Sequence, residues 1–171
     1  MLIIHAVQKL LNTSAIEGAL YVTQPGDGQL MHSWYARLVA SSFTGKLLVM
    51  YVHEPSLLTV VCRGKTIKGT WPEFIERLPA LLQRFNFPTE FITAEMKAAS
   101  GYVVAKTNSK SMLAHMNQIV SNMEYHCARA ASYDTIDTSF LEDIVMSYLY
   151  KGTEKGIPYT TPETFWRKAL S

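Results

Sequence analysis

Cysteine is scarce in this chain. Only Cys62 and Cys127 occur, both among apolar neighbours (Val60, Val61, Met123), and neither stands in a CxxC or other metal-ligand spacing. That predicts two reduced, buried thiols of a cytosolic protein. Long apolar runs are also missing: the longest, Leu47 to Val52, is far short of the ~20 residues needed to span a bilayer, so no membrane association is expected. The opening Met1-Leu2-Ile3-Ile4-His5 has no basic stretch and no extended apolar core of the kind a signal peptide carries, which predicts a cytoplasmic location. The sequon Asn12-Thr13-Ser14 has no consequence without secretion. Charge of one sign is lacking too. Sixteen Lys+Arg face 14 Asp+Glu for a net +2, too weak a field to favour nucleic acid or an anionic membrane as partner. Repeats and low-complexity tracts are absent.

What is present is the composition of a globular domain, 48% hydrophobic and 18% charged. At 171 residues one domain spanning 1–171 can bury roughly 70% of its unfolded surface without staples. The strand-rich part is 1–63. Leu2–Val7 and a weaker Ala19–Thr23 precede a Pro25-Gly26-Asp27-Gly28 turn, and His32–Ala40, Lys46–His53 and Leu57–Arg63 follow as a meander. Leu47–Val52 is apolar on both faces, as in the interior of a sheet.

Helices are expected over 71–98, where Thr70-Trp71-Pro72-Glu73 reads as a capping box and Pro79 should kink or split the first helix. A strand over 101–107 follows, then helices over 109–170. The longest, about Ser109–Ala131, carries a Met112, Leu113, Met116, Ile119, Val120, Met123, Cys127 and Ala130 stripe. This order predicts an α+β fold. The sheet would be antiparallel or mixed, of about five or six strands, with helices packed mainly on one face and a helical C-terminal part.

Three stretches resemble an uncharacterised bacterial family catalogued as a domain of unknown function. They are Ile3, Ile4 and Lys9-Leu10-Leu11; the strand Ser33-Trp34-Tyr35-Ala36-Arg37-Leu38; and the junction residues Lys106, Thr107, Ser111, Leu113, Met116 and Asn117. Lys110 stands where the family pattern has arginine, and Ala114 where it has glycine. The resemblance spans nearly the whole length, concentrates at the junction, and implies no activity, cofactor or catalytic residue.

That junction is also the densest polar stretch. A helix beginning near Asn108 presents unpaired backbone N–H groups at the positive end of its dipole. Asn108, Ser109 and Ser111 add side-chain hydrogen bonds and Lys106 and Lys110 add positive charge, a combination suited to phosphate, sulfate or carboxylate. The candidate ligand-binding set is Lys106, Thr107, Asn108, Ser109, Lys110, Ser111 and Asn117, with Trp34 as an aromatic wall. The plain alternative is an ordinary N-cap with solvated lysines.

Other patterns carry less. Arg63-Gly64-Lys65-Thr66 resembles the end of a P-loop, but Thr59 occupies the place of its first glycine. Ser111 and His115 share a helix face without an identifiable orienter, and His126 and Cys127 point about 100° apart. The five histidines, His5, His32, His53, His115 and His126, show no HxH or HExxH spacing, so no metal and no cofactor is expected. Of Trp34 and Tyr35, facing opposite sides of a strand, one belongs to the core; Glu73 and Arg77 read as an exposed i,i+4 pair.

Three functions remain in competition. The first is a binding or regulatory domain for a small anionic ligand or nucleotide at 106–111. The second is an interaction module: a homo-oligomer, or a partner in a plasmid, phage-defence or toxin-neutralising pair, using Tyr148, Tyr150, Tyr159, Phe165 and Trp166. The third is a hydrolase or transferase on a phosphorylated substrate, in which a histidine (His32, His53 or His115) or a carboxylate would have to reach Ser111 inside a pocket.

Overall fold

A computed structural model describes residues 1–22, 28–151, 156 and 159–171. Five strands form one mixed sheet: β1 (Leu2–Ala6), β2 (Ser33–Ala40), β3 (Leu47–His53), β4 (Thr59–Arg63) and β5 (Tyr102–Lys106), in the order β4-β3-β2-β1-β5. The β2–β3–β4 meander is antiparallel, as its turn residues predict, whereas β1 runs parallel to both of its neighbours. Parallel pairing requires a crossover, and the first one carries α1 (Gln8–Thr13). The weak strand expected at Ala19–Thr23 reduces to one parallel bridge, Leu20 to Ala105, with Thr23 outside the described residues. The turn expected at Pro25–Gly28 lies outside them as well, Gly28 excepted.

The sheet is apolar on both sides, so both are covered. Val49 and Tyr51 of β3 join one core with α1, α2 (Ile67–Arg84), α3 (Thr89–Ala98) and α6 (Pro162–Ala169). Leu48, Met50 and Val52 join a second core beneath α4 (Lys110–Cys127) and α5 (Thr138–Met146). Helices thus predominate on one face, but α4 and α5 seal the other. A short hairpin, β6 (Tyr150–Lys151) with β7 (Tyr159–Thr160), occupies part of the stretch expected to be wholly helical.

α2 begins a turn earlier than its sequence suggests. Thr66, extended at φ −130°, accepts the Gly69 N–H at 3.0 Å and is the N-cap. Thr70 lies inside the helix, buried, with its hydroxyl on the Thr66 carbonyl (2.8 Å) and the Tyr51 hydroxyl (2.6 Å). The helix also runs unbroken through Pro79: Phe74, Leu78, Leu81 and Leu82 bury one face of it, and this packing outweighs a proline penalty of about 3 kcal/mol. Thr66→Ala is therefore expected to cost about 1 kcal/mol in a urea titration. An unchanged midpoint would return the cap to Thr70.

The Glu73–Arg77 pair does not form: Glu73 turns to the β4 edge, and Arg77 to Glu142 and Ser139 of α5. The Val61 N–H donates to Glu142 Oε2 at 3.0 Å and the Arg63 N–H to Glu73 Oε2 at 2.9 Å, so the outer amides of an edge strand end on carboxylates. Glu142, fully buried, also takes Arg77 in a two-pronged pair (Nη2–Oε1 2.7 Å, Nε–Oε2 3.1 Å) and Arg84 at 3.2 Å. Its hydrogen bonds hold Arg77 in the charged form against the burial that would discharge it.

Candidate functional site

Adjacent parallel strands β1 and β5 end level with each other, Ala6 opposite Lys106. From there the chain leaves β1 into α1 on one face and β5 into α4 on the other. Where neighbouring strands send their helices to opposite faces, a crevice opens beyond their carboxyl ends, the usual place for a ligand on such a sheet. The junction singled out in the sequence lies where the two chains diverge.

Ser109 sets the start of α4. Extended at φ −120°, it accepts the Met112 N–H on Oγ (3.1 Å), while its carbonyl takes the Leu113 N–H (3.1 Å). The backbone N–H groups of Lys110 and Ser111 have no acceptor among the described residues. No acidic residue lies in the first turn to offset the dipole of this 18-residue helix. Lys106, Asn108, Lys110 and Ser111 are exposed and Thr107 is half-buried. Lys106 Nζ stands 5.8 Å over the Tyr21 ring, and its backbone N–H reaches the Leu20 carbonyl at 3.0 Å.

The sheet holds the junction from below. Tyr35 and Arg37, alternating on β2, face α4: the Tyr35 hydroxyl donates to Asn108 Oδ1 and the Arg37 guanidinium to Asn117 Oδ1. Both amide oxygens are thereby engaged, which leaves the NH2 of Asn108 and Asn117 as their outward groups. Burial pushes the Tyr35 phenol up to about 12, the Glu54 charge adds to this, and the Asn108 backbone N–H opposes it. Asn108 is thus held by its side-chain oxygen, and among the described residues the N–H groups of Ser109, Lys110 and Ser111 have no acceptor.

Trp34 does not take part. It is fully buried in the core on the opposite face, with Nε1 on the Met31 carbonyl at 2.6 Å and its ring edge-on to Phe74 at 5.1 Å. Both members of the Trp34–Tyr35 pair are core, rather than one. Ser111 and His115 make no hydrogen bond to each other; the His115 ring packs edge-on against Tyr150 at 5.7 Å, and burial lowers its pKa. Among the described residues no three His, Cys, Asp or Glu side chains gather as a metal site would require.

The residue that sequence reasoning missed is His5. It is 4% exposed on the α4 side of β1, stacked on Tyr35 at 4.7 Å, and its Nδ1–H donates to the Lys106 carbonyl at 3.0 Å. It was one of five histidines without a spacing pattern; only the parallel register of β1 and β5 brings it to residue 106. A cleft of about 530 Å³ lies between the end of α2 and α6, but its charges are already paired, Arg84 with Asp143 and Arg167 with Glu163.

A comparison with curated proteins finds no match. A family comparison matches residues 3–164, from β1 into the first turn of α6, and so takes in all of the five-stranded sheet but Leu2, and the whole junction. The chain therefore belongs to the family described as Domain of unknown function (DUF6933).

Proposed function

We propose that the protein is a cytoplasmic binding or regulatory domain that takes a small anionic ligand, such as a phosphate or the phosphate of a nucleotide, at the start of α4. The observation that carries this reading is the pair of N–H groups at Lys110 and Ser111 that find no acceptor among the described residues, at the start of a long helix with two exposed lysines beside them. The Asn108 amide and the divergence of α1 and α4 to opposite faces at the strand ends support it. An enzymatic role has less behind it, since no histidine bonds Ser111 among the described residues.

A thermal-shift panel of phosphate, sulfate and nucleotides tests the proposal on the wild type and on a Lys106→Ala/Lys110→Ala variant. A ligand at 100 times its Kd stabilises by about 2.7 kcal/mol, or about 5–10 °C for a chain of this size. The wild type is expected to show such a rise with one class of anion, and the variant to lose most of it. Equal responses in the two proteins would dispose of the site.

An interaction surface is the second reading, but not through the tail. Trp166 and Tyr150 are buried, Tyr148 and Phe165 half-buried, and only Tyr159 of the five aromatics is exposed. The better candidate is the end of α4 against α5, where exposed Tyr125 and Phe140 flank His126 beside a hollow of about 290 Å³.

A further inference from the structure

We propose that the cleft between the end of α2 and α6 is a second binding site, and that it takes a small monocarboxylate with an apolar body. The inference is separate from the anion reading above. This cleft borders the core shared by α1, α2, α3 and α6, whereas α4 covers the opposite face of the sheet.

The cleft follows from the way α2 ends. Asn86 sits in the left-handed region at φ 58°, which a short polar side chain tolerates, and it turns the chain out of the helix. The N–H groups of Phe85, Asn86 and Phe87 return to the carbonyls of Leu81 (3.3 Å), Gln83 (3.1 Å) and Leu82 (3.0 Å). Those three carbonyls are therefore satisfied, which removes most of the acceptors a helix end would turn toward a guest. Phe85 and Phe87, both half-buried, line one side of the cleft, and Trp166 and Leu170 of the α6 end line the other. Trp166 and Phe87 stand 5.7 Å apart, ring to ring. At about 530 Å³ the space falls within the usual size of a small-molecule pocket, and its walls are of the usual aromatic kind.

The polar groups of the lining leave hydrogen-bond donors over. Arg84 gives Nε and Nη2 to Asp143 and Glu142, and Arg167 gives Nη2 to Glu163. Arg84 Nη1 and Arg167 Nε and Nη1 have no acceptor among the described residues. Neither has the Nε1–H of buried Trp166. Two guanidinium groups against the one carboxylate of Glu163 give the lining a single surplus positive charge. The Arg167–Glu163 pair is solvent-exposed, and pairs of that kind contribute too little to keep a competing anion away. A carboxylate meets a guanidinium fork with two parallel hydrogen bonds and cancels the one surplus charge. A phosphate dianion exceeds it and is set against Glu163. The aromatic walls require the rest of the guest to be apolar.

Titration calorimetry on the full chain with phenylpropionate, phenylpropanol, propionate and phenyl phosphate tests this. The wild type is expected to bind phenylpropionate with a Kd of roughly 1 mM or below, and each of the other three about tenfold more weakly or worse. Arg167→Gln, at an exposed position, should lose about tenfold in phenylpropionate affinity, the size of one charge-assisted hydrogen bond. Absence of phenylpropionate binding up to about 10 mM overturns the proposal. So does an alcohol or a propionate that binds as well as the aryl acid, a phenyl phosphate that binds more tightly, or an unaltered Arg167→Gln. Loss of phenylpropionate binding in Lys106→Ala/Lys110→Ala would put the acid at α4 and overturn the cleft, whereas failure of the α4 site with phosphates leaves the cleft untouched. The indole 15N–H resonances check the location. That of Trp166 is expected to move on saturation, and an unmoved Trp166 resonance refutes the placement.

Discussion

Replacing Glu142 with alanine is expected to cost about 3–5 kcal/mol, the range for breaking a buried ion pair by removing one partner. Four donors end on this carboxylate: the Val61 amide, Arg77 Nε and Nη2, and Arg84 Nη2. Arg77, with only 18% of its side chain exposed, would be left charged and unpaired, and the outer amide of β4 would lose its acceptor. Glu142→Gln keeps an oxygen for Val61 and should recover part of the loss. Exchanging both Glu142 and Arg77 for methionine should cost less than the alanine substitution alone, because no charge is then stranded. Urea midpoints of the four proteins check this. A Glu142→Ala variant within about 1 kcal/mol of wild type would mean that the clamp adds little to the edge it closes.

The second large effect is acid destabilisation through His53. This ring is 1% exposed, donates from Nε2 to the Leu30 carbonyl at 3.2 Å, and accepts the Ser56 hydroxyl on Nδ1 at 2.6 Å. Burial depresses its pKa to about 3; His32 adds slightly, and the Leu30 carbonyl opposes. In the unfolded chain the group titrates near 6.5, so between the two values only the unfolded state takes up the proton. The contribution is complete above pH 6.5 and is lost as pH falls toward 3, a change on the order of 5 kcal/mol. His53→Gln can retain the bond to Leu30 but has no such proton to bind. It should be less stable than wild type at pH 7 and yet show a flatter dependence of stability on pH from 6.5 to 3. A variant with the wild-type slope would show that other groups drive the acid transition.

The meander and α4 were readable in advance because their signals are local. Strand alternation, the Glu54-Pro55-Ser56 turn and a stripe from Met112 to Cys127 each lie within one element and its flanks. Local reading failed where distant contacts decide. The Thr70 box satisfies the capping pattern, but Thr70 is drawn into the core by Tyr51, 19 residues earlier, and Thr66 caps instead. Arg77 has an acid one helical turn away and bonds one 65 residues away. The junction was legible as a polar helix start, but its support from Tyr35, Arg37 and His5 was not, since these come from strands 73 to 101 residues away.

The order of amino acids by itself settled the α+β class, the location of the long helix and the polar character of its first turn. These follow from side-chain periodicity and from the need of every helix to cap its first amides. Tertiary structure alone decided that β1 runs parallel between β2 and β5, that both sheet faces are covered, and that His5 meets Lys106. Strand pairing is a choice among many registers of similar local energy, and packing of the whole sheet makes it.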